Sequence, residues 1–598
     1  MNATDWVQLI LILAGILVLT KPVGLYLYHV LDPEIAGRTF LDKLFGPIER
    51  LILSLFGKEA RREQNWKQYA AALLTFSMVS MLATYGLLRF QGHLPWHQYV
   101  DSLSDKTEMV PHLAFNTAAS FLTNTNWQSY AGENTMSYFS QMVALVMHHF
   151  YSMTVGIAVC AVLVRGIAGN RGKSVGNFWR DLVRVILYFV MPICIVYALF
   201  LVSQGSIMNF RPTTVVNVVD QSTAAKGATS TQTIIQGPVA SMMAVKMLGT
   251  NGGGYYNANA AHPFEDGTPL SNYIQVLSFM CIPAGLTYYL GLMIKKKAHG
   301  WAVWTAMFVL FVAGIITAVG FETRGNPNLT AMNVCGPAAN PTNNNMEGKE
   351  TRFGVFNSAA YMSMTTSTGC GAVIAMHDSM LPMAGFVPLI NMELGEVVFG
   401  GVGSGLYTML VFVFIAIFIA GLMVGRTPEY LGKKIEATDV KLASIVALTT
   451  AFAVLIPSAV TCVTKWGNAG LNNGGPHGFS EMLYAFSSAT GNNGSAFAGL
   501  TANPTSGDFA GDPKWDIILG LIILVGRFFM MVPVLALAGR LVTKRPLAQG
   551  VGSFPVTGPT FVVLLISTVL IVGALTFFPA LALGPIVEHY LMGAGKLY

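Results

Sequence analysis

The chain has 598 residues, 53 % of them hydrophobic and 11 % charged, against about a quarter charged in ordinary soluble domains. That balance excludes a soluble globular protein. The net charge of +6 excludes nothing by itself, but its basic residues gather in short loops between apolar stretches, the pattern of a chain oriented in a bilayer and not of a nucleic-acid binder.

Stretches of about 20 apolar residues cross the hydrocarbon as helices, and ten occur. In chain order they are 6–31, 69–90, 136–164, 183–203, 270–294, 301–321, a broken one within 383–425, 439–464, 514–539 and 559–587. The first carries Asp5 before its apolar run and lacks a basic start and a small-residue cleavage site, so it reads as a span and not a removable leader. The loops at 32–68, 165–184, 295–300, 426–441 and 540–558 hold 7, 5, 3, 4 and 3 Lys or Arg, 22 of the 35 in the chain. These five alternate with the other loops, which places them in the cytoplasm and both termini outside. Lys21, beside Pro22, reads as a snorkelling residue at the inner end of the first span. Adjacent His148 and His149 point different ways on one helix and read as packing residues. The six cysteines imply no metal or disulfide framework: Cys160, Cys194, Cys281 and Cys462 sit in or at the ends of spans, and Cys335 and Cys370 on outward segments without such spacing.

Four short segments, 112–122, 238–248, 356–367 and 478–489, each fit a helix of about 16 Å, half a bilayer. Directly after them come Thr123-Asn-Thr-Asn-Trp127, Gly249-Thr-Asn-Gly-Gly-Gly254, Thr368-Gly-Cys-Gly371 and Thr490-Gly-Asn-Asn-Gly494. With Asn126, Gly252, Gly371 and Gly494 taken as equivalent, the intervals are 126, 119 and 123 residues, a fourfold pseudo-repeat of span, half-helix, turn and span. The predicted architecture is an all-α polytopic protein: residues 1–68 an extra span and basic loop, 69–182, 183–300, 301–438 and 439–558 the four repeats, and 559–598 an extra terminal span. Non-helical backbone at membrane depth survives only where it is buried in protein or lines a water-filled route, so four such turns about one axis make a pore. Their near lack of carboxylates suits a weakly hydrated monovalent cation, potassium before sodium, better than calcium or magnesium.

Two ATP-like motifs are chance matches. Asp105-Lys-Thr-Glu-Met109 lacks the Gly-Thr of a phosphorylation motif and lies in an outward loop. Gly166 to Ser174 misses the P-loop spacing by one residue, with Ile167 where glycine is required. Gly400-Gly-Val-Gly-Ser-Gly405 has no βαβ setting and instead breaks the stretch 383–425. Glu396 and Arg426 bracket that break, and Arg527 stands mid-span, where a charge marks function; Arg527 is expected to meet filter-supporting carbonyls or a carboxylate such as Glu481.

The segments TNTNWQSY, KMLGTNGGGYYNAN, NMEGKETRFG, GAVIAMHDS, GEVVFGGVGSGLY, GLMVGRTPEYLGKK and GPHGFSEMLYAFSSAT resemble the potassium-binding A subunits of bacterial Kdp potassium-transporting ATPases, within the superfamily of potassium transporters. The resemblance implies a potassium filter at Asn124, Thr125 and Asn126, Thr250, Asn251 and Gly252, Gly369, Cys370 and Gly371, and Asn492, Asn493 and Gly494. Gln128, Gly253, Gly254 and Arg527 would support it. Glu396, Gly400, Gly401, Gly403 and Gly405 would gate the cytoplasmic route and shape a tunnel toward the P-type ATPase catalytic component of Kdp, KdpB, with the small components KdpC and KdpF completing an inner-membrane complex; Arg426 reads either as an electrostatic block at the cytoplasmic exit or as a basic residue marking the inner end of a helix. Potassium is then the transported substrate, with no resident cofactor and no ATP hydrolysis in this chain. An autonomous channel or symporter of the same design, and a polytopic enzyme using the polar loops, are the competing readings. Repeat one departs from a glycine-centred turn by carrying amides, and Gly369 and Gly491 replace a small hydroxyl and an asparagine expected of relatives.

Overall fold

The computed structural model describes residues 3–97, 108–170, 172–220, 230–331, 345–425, 427–503, 511–547 and 554–596. Among them ten helices are long and apolar enough to cross a membrane: Ala3–Leu31, Trp66–Arg89, Ser140–Ala168, Phe178–Ser203, Pro269–Met293, Lys297–Leu329, Ser404–Met423, Ala437–Cys462, Lys514–Thr543 and Pro559–Gly593, here spans one to ten. The protein is a helical, multi-pass membrane protein. Spans three, five and seven are mostly buried within it, whereas spans one and two turn most of their apolar surface outward, which lipid covers without cost.

The short apolar segments form helices: Pro111–Leu122, Val239–Leu248, Gly354–Ser367 and Gly475–Gly491, short helices one to four. Each stands between two spans and is followed by an irregular turn, so that span, short helix, turn and span recur four times along the chain. A two-stranded hairpin, Thr214–Asn217 against Thr231–Ile234, precedes the second short helix.

The broken stretch resolves into a 12-residue helix, Pro382–Glu393, and span seven, separated by residues 394–403. Gly395, Glu396, Phe399, Gly400 and Gly403 are all left-handed in this loop, a conformation that ends a helix and that costs a non-glycine residue energy. Gly403 faces span three so closely that a Cβ there would fall 2.0 Å from the Gly156 carbonyl oxygen. Small residues also let span one cross span five, where a Cβ on Gly24 would meet the Gly285 oxygen at 2.4 Å.

On the face of the basic loops, charges hold the spans in register. Arg165 at the end of span three reaches Asp32 after span one at 2.8 Å and Asp181 in span four at 2.7 Å. Lys433 donates to the Gly166, Gly169 and Leu541 carbonyls at 2.8, 2.6 and 2.8 Å, satisfying the free carbonyls that end spans three and nine. Burial pushes this lysine down to about 8, with Lys544 adding to the shift. The near-P-loop therefore has a structural account: it is the end of span three, with residue 171 outside the described residues, and among the described residues no strand precedes it.

Candidate ion-binding site

Each short helix ends in the same way. Asn124, Thr250, Gly369 and Asn492 are left-handed, with φ of 69, 48, 60 and 60°. The next residue in each turn donates its N–H five residues back: Thr125 to Ser120, Asn251 to Lys246, Cys370 to Thr365 and Asn493 to Ser488, at 3.0, 2.9, 3.0 and 2.9 Å. This is the closure a helix makes when its C′ residue is left-handed. Thr250 is β-branched and so strained in that conformation; its hydroxyl accepts the Val402 N–H at 3.0 Å, which ties the strained residue to the loop after Glu396.

Two residues further on the backbone turns left-handed again, at Asn126, Gly252, Gly371 and Gly494, with φ of 52, 68, 69 and 91°. Left-handed residues at every second place rotate successive peptide planes so that their carbonyls can share one side. The turns lie against one another in chain order. A Cβ on Gly252 would fall 1.8 Å from the Cys370 oxygen, one on Gly371 1.9 Å from the Asn493 oxygen, and one on Gly494 1.7 Å from the Thr125 oxygen. Three of the four seams are thus bare glycine against carbonyl, which leaves no room for a side chain.

The seam between turns one and two is built from amides. Asn124 donates to the Gly249 and Thr250 carbonyls at 3.1 and 2.9 Å, and Asn126 to Gly252 at 2.8 Å. Gln128 donates to the Gly254 carbonyl at 3.0 Å and accepts its N–H at 2.8 Å. The spacing 124, 126, 128 against 250, 252, 254 makes an in-register ladder, which accounts for amides in turn one where glycine stands elsewhere. Tyr255 and Tyr256 follow, buried, with hydroxyls donating to the Gln236 and Ile235 carbonyls. Asn126, Gly253, Gly371 and Gly494, one residue from each turn, line a single cavity of about 650 Å³ together with Gln128 and His377.

Loop 394–403 lies against the turns. Gly400 donates to the Ser367 carbonyl at 2.9 Å, and Gly401 and Gly405 flank the same bend. Glu396 is buried; Asn493 donates to its Oε1 at 3.0 Å, and a Cβ on Gly369 or Gly491 would fall 2.2 or 3.2 Å from its carboxylate oxygens. Both glycines that stood out in the sequence therefore make space for this carboxylate. A chain of hydrogen bonds links the cavity to it: His377 to Tyr484 at 2.8 Å, Tyr484 to Ser495 at 2.8 Å, Ser495 to the Asn493 side chain at 2.6 Å, and Asn493 to Glu396. Burial pushes the His377 imidazole down to about 3, so it joins that chain as the neutral ring.

Arg527 is buried in span nine and donates to the Ser152 carbonyl at 2.9 Å. Ser152 donates in turn to the Asn124 side chain at 2.9 Å. Glu481 is not its partner. That carboxylate accepts from Asn473 at 2.6 Å at the far end of the fourth short helix; the helix is long enough to hold its first turns away from the level of Arg527. Arg426, residues 105–107 of the phosphorylation-like motif and Cys335 lie outside the described residues.

Residues 10–590 match the family described as the potassium-transporting ATPase A subunit. The chain belongs to that family. Relatives named "Potassium-transporting ATPase potassium-binding subunit" from Koribacter versatilis and Acidobacterium capsulatum are 50 % and 49 % identical, each over 100 % of both chains. A solved structure titled as the potassium transporter TrkH from Vibrio parahaemolyticus covers 87 % of this chain and 96 % of its own at 13 % identity, with a TM-score of 0.48, too loose a likeness to carry an argument.

Two further residues of this A-subunit chain hold the turns. Lys246, fully buried, donates to the Gly253 carbonyl at 2.5 Å and pairs with Glu265 at 2.5 Å, while Glu265 accepts the Tyr256 N–H at 2.9 Å. Its signal was a lysine in an apolar half-helix at the place held by Ser120, Thr365 and Ser488 in the other three. His149, read as a packing residue, has its Nε2 2.6 Å from the Asn126 amide nitrogen and so holds the ladder from behind. His148 does pack, against Ser80 and Thr84 of span two at 2.8 and 3.1 Å.

Proposed function

We propose that this chain is the potassium-binding and translocating subunit of an ATP-driven, high-affinity potassium uptake pump. Potassium reaches the cavity from the extracytoplasmic side, loses its water among the carbonyl oxygens of the four turns, and leaves through an intramembrane tunnel bounded by loop 394–403 toward a separate P-type ATPase partner. Partners corresponding to KdpB, KdpC and KdpF complete the complex in the inner membrane, both termini of this chain face outward, and residues 69–182, 183–300, 301–438 and 439–558 form the repeats around the pore. ATP is hydrolysed in the partner and not here.

The observation that carries this reading is the convergence of four turns with one backbone signature on one cavity. The C-terminal ends of the four short helices add partial negative charge at the same place. Asn126, which lines the cavity, has its Oδ1 buried without a hydrogen-bond donor among the described residues, which suits a cation and not an anion. Neutral oxygens dominate, with Glu396 as the carboxylate beside turns three and four, and such a set favours a weakly hydrated monovalent ion over a divalent one. Full-length relatives named as potassium-binding subunits agree with that choice.

The test is reconstitution. Proteoliposomes carrying this chain with its P-type partner are expected to take up rubidium, as a potassium tracer, only with ATP, and those carrying this chain alone to pass no sustained ion current. A potassium current from the chain alone would replace the pump reading with an autonomous channel.

A further inference from the structure

The helix Asp42–Leu55, on the face of the basic loops, is too short and too polar to cross a bilayer and sorts its side chains by charge. Both of its carboxylates point inward. Arg184 lies 3.5 Å from Asp42 and 3.0 Å from Glu49, and Tyr188 donates to Glu49 at 2.6 Å. Phe45 packs edge-on against Tyr188, and Phe56, just past the helix, stacks on Trp179 at 4.3 Å. The inner face is therefore fixed to the start of span four.

The outer face is apolar and basic. Leu44, Ile48, Leu51 and Leu55 are 63, 43, 66 and 78 % exposed, at the i, i+4, i+7 and i+11 spacing of one helical stripe. Lys43 and Arg50 are exposed beside it, as are Arg38 and Phe40 just before it. Of the exposed carboxylates nearby, Glu34 is paired with Arg180 at 2.8 Å and Glu59 lies 3.9 Å from Arg62. The depth is set as well. Arg184, which grips the helix, also donates to the Val30 carbonyl at 2.9 Å, one residue before the end of span one, so the helix lies where the spans leave the hydrocarbon.

We propose that Asp42–Leu55 is an interfacial anchor that seats its leucine stripe among the upper acyl chains and its bases on the headgroups of anionic lipid. Continuity with the lipid-facing surface of span one and the lack of an unpaired outward carboxylate on the helix argue for lipid over a protein partner. A leucine stripe flanked by bases at that depth is the composition of an in-plane amphipathic helix.

The test places an environment-sensitive nitrobenzoxadiazole label on Leu51→Cys, and separately on Leu44→Cys in case one site disturbs assembly. The complete complex is used, in nanodiscs of phosphatidylcholine with or without phosphatidylglycerol, with the identically treated native complex as the blank. Bromine carried near the headgroup end of the acyl chain is expected to quench the label about twofold, more strongly with phosphatidylglycerol, and Lys43→Gln with Arg50→Gln is expected to abolish that preference. Water-like emission without quenching would overturn the proposal. So would quenching that is absent in the complete complex and appears only when the partner subunits are removed, since the face would then belong to protein.

Discussion

Asn126 stands where three other turns have glycine, and its neighbours explain the exception. Its amide bridges the Gly252 carbonyl and His149, whereas Gly252, Gly371 and Gly494 meet a carbonyl of the next turn with no space between. Asn126→Gly should therefore loosen one seam and raise the potassium concentration for half-maximal ATPase stimulation about tenfold, equivalent to about 1.4 kcal/mol. An unchanged half-maximal concentration would show that the ladder plays no part in potassium binding. Lys246 makes a second prediction. Lys246→Met leaves buried Glu265 without its cation, a loss of about 3–5 kcal/mol, read as a lower unfolding midpoint in detergent. Lys246→Met combined with Glu265→Gln should regain most of it; a double variant as unstable as the single would show that packing, and not charge, is at stake.

At the scale of elements, loop 394–403 gathers contacts from turns two, three and four. Glu396→Gln keeps an oxygen for Asn493 and removes the ionisable carboxyl. The expected outcome is a folded complex whose rubidium affinity falls severalfold; wild-type affinity and coupling would dispose of the role given to Glu396. The terminal span is fastened to the fourth short helix by His477, whose ring nitrogens lie 2.8 Å from Glu588 and 3.0 Å from Asp378. Burial pushes this imidazole down, but those two hydrogen bonds outweigh it and lift it to about 10. A folded value above the unfolded one, near 6.5, means that the stabilisation is complete below about pH 6.5 and is lost as pH rises through about 10. The unfolding midpoint should fall over that window, and His477→Gln should remove that part of the fall. The spans, short helices and break at Gly400 were legible because apolar length, half-bilayer length and glycine density are local properties. The carbonyl partner expected for Arg527 is met by Ser152, but which residue supplies it, and the Lys246–Glu265 pair, were not legible, since each joins residues that only the packed fold brings together.

At the scale of the whole molecule, what the sequence could offer was the interval between turns, 126, 119 and 123 residues, which the two sets of left-handed residues reproduce one for one. It could not say which turn touches which, and so left the amides of turn one without a reason. The order in space supplies it: turn one laces to turn two, two meets three, three meets four, and four returns to Thr125 of turn one. This ring of turns is proposed to select potassium. Its most direct test is potassium- against sodium-stimulated ATPase activity of the purified complex, native and Gly252→Ala, where the added methyl would sit 1.8 Å from the Cys370 oxygen. Gly252→Ala is expected to assemble but to need far more potassium and to discriminate less against sodium. Potassium dependence and selectivity equal to the native complex would contradict it.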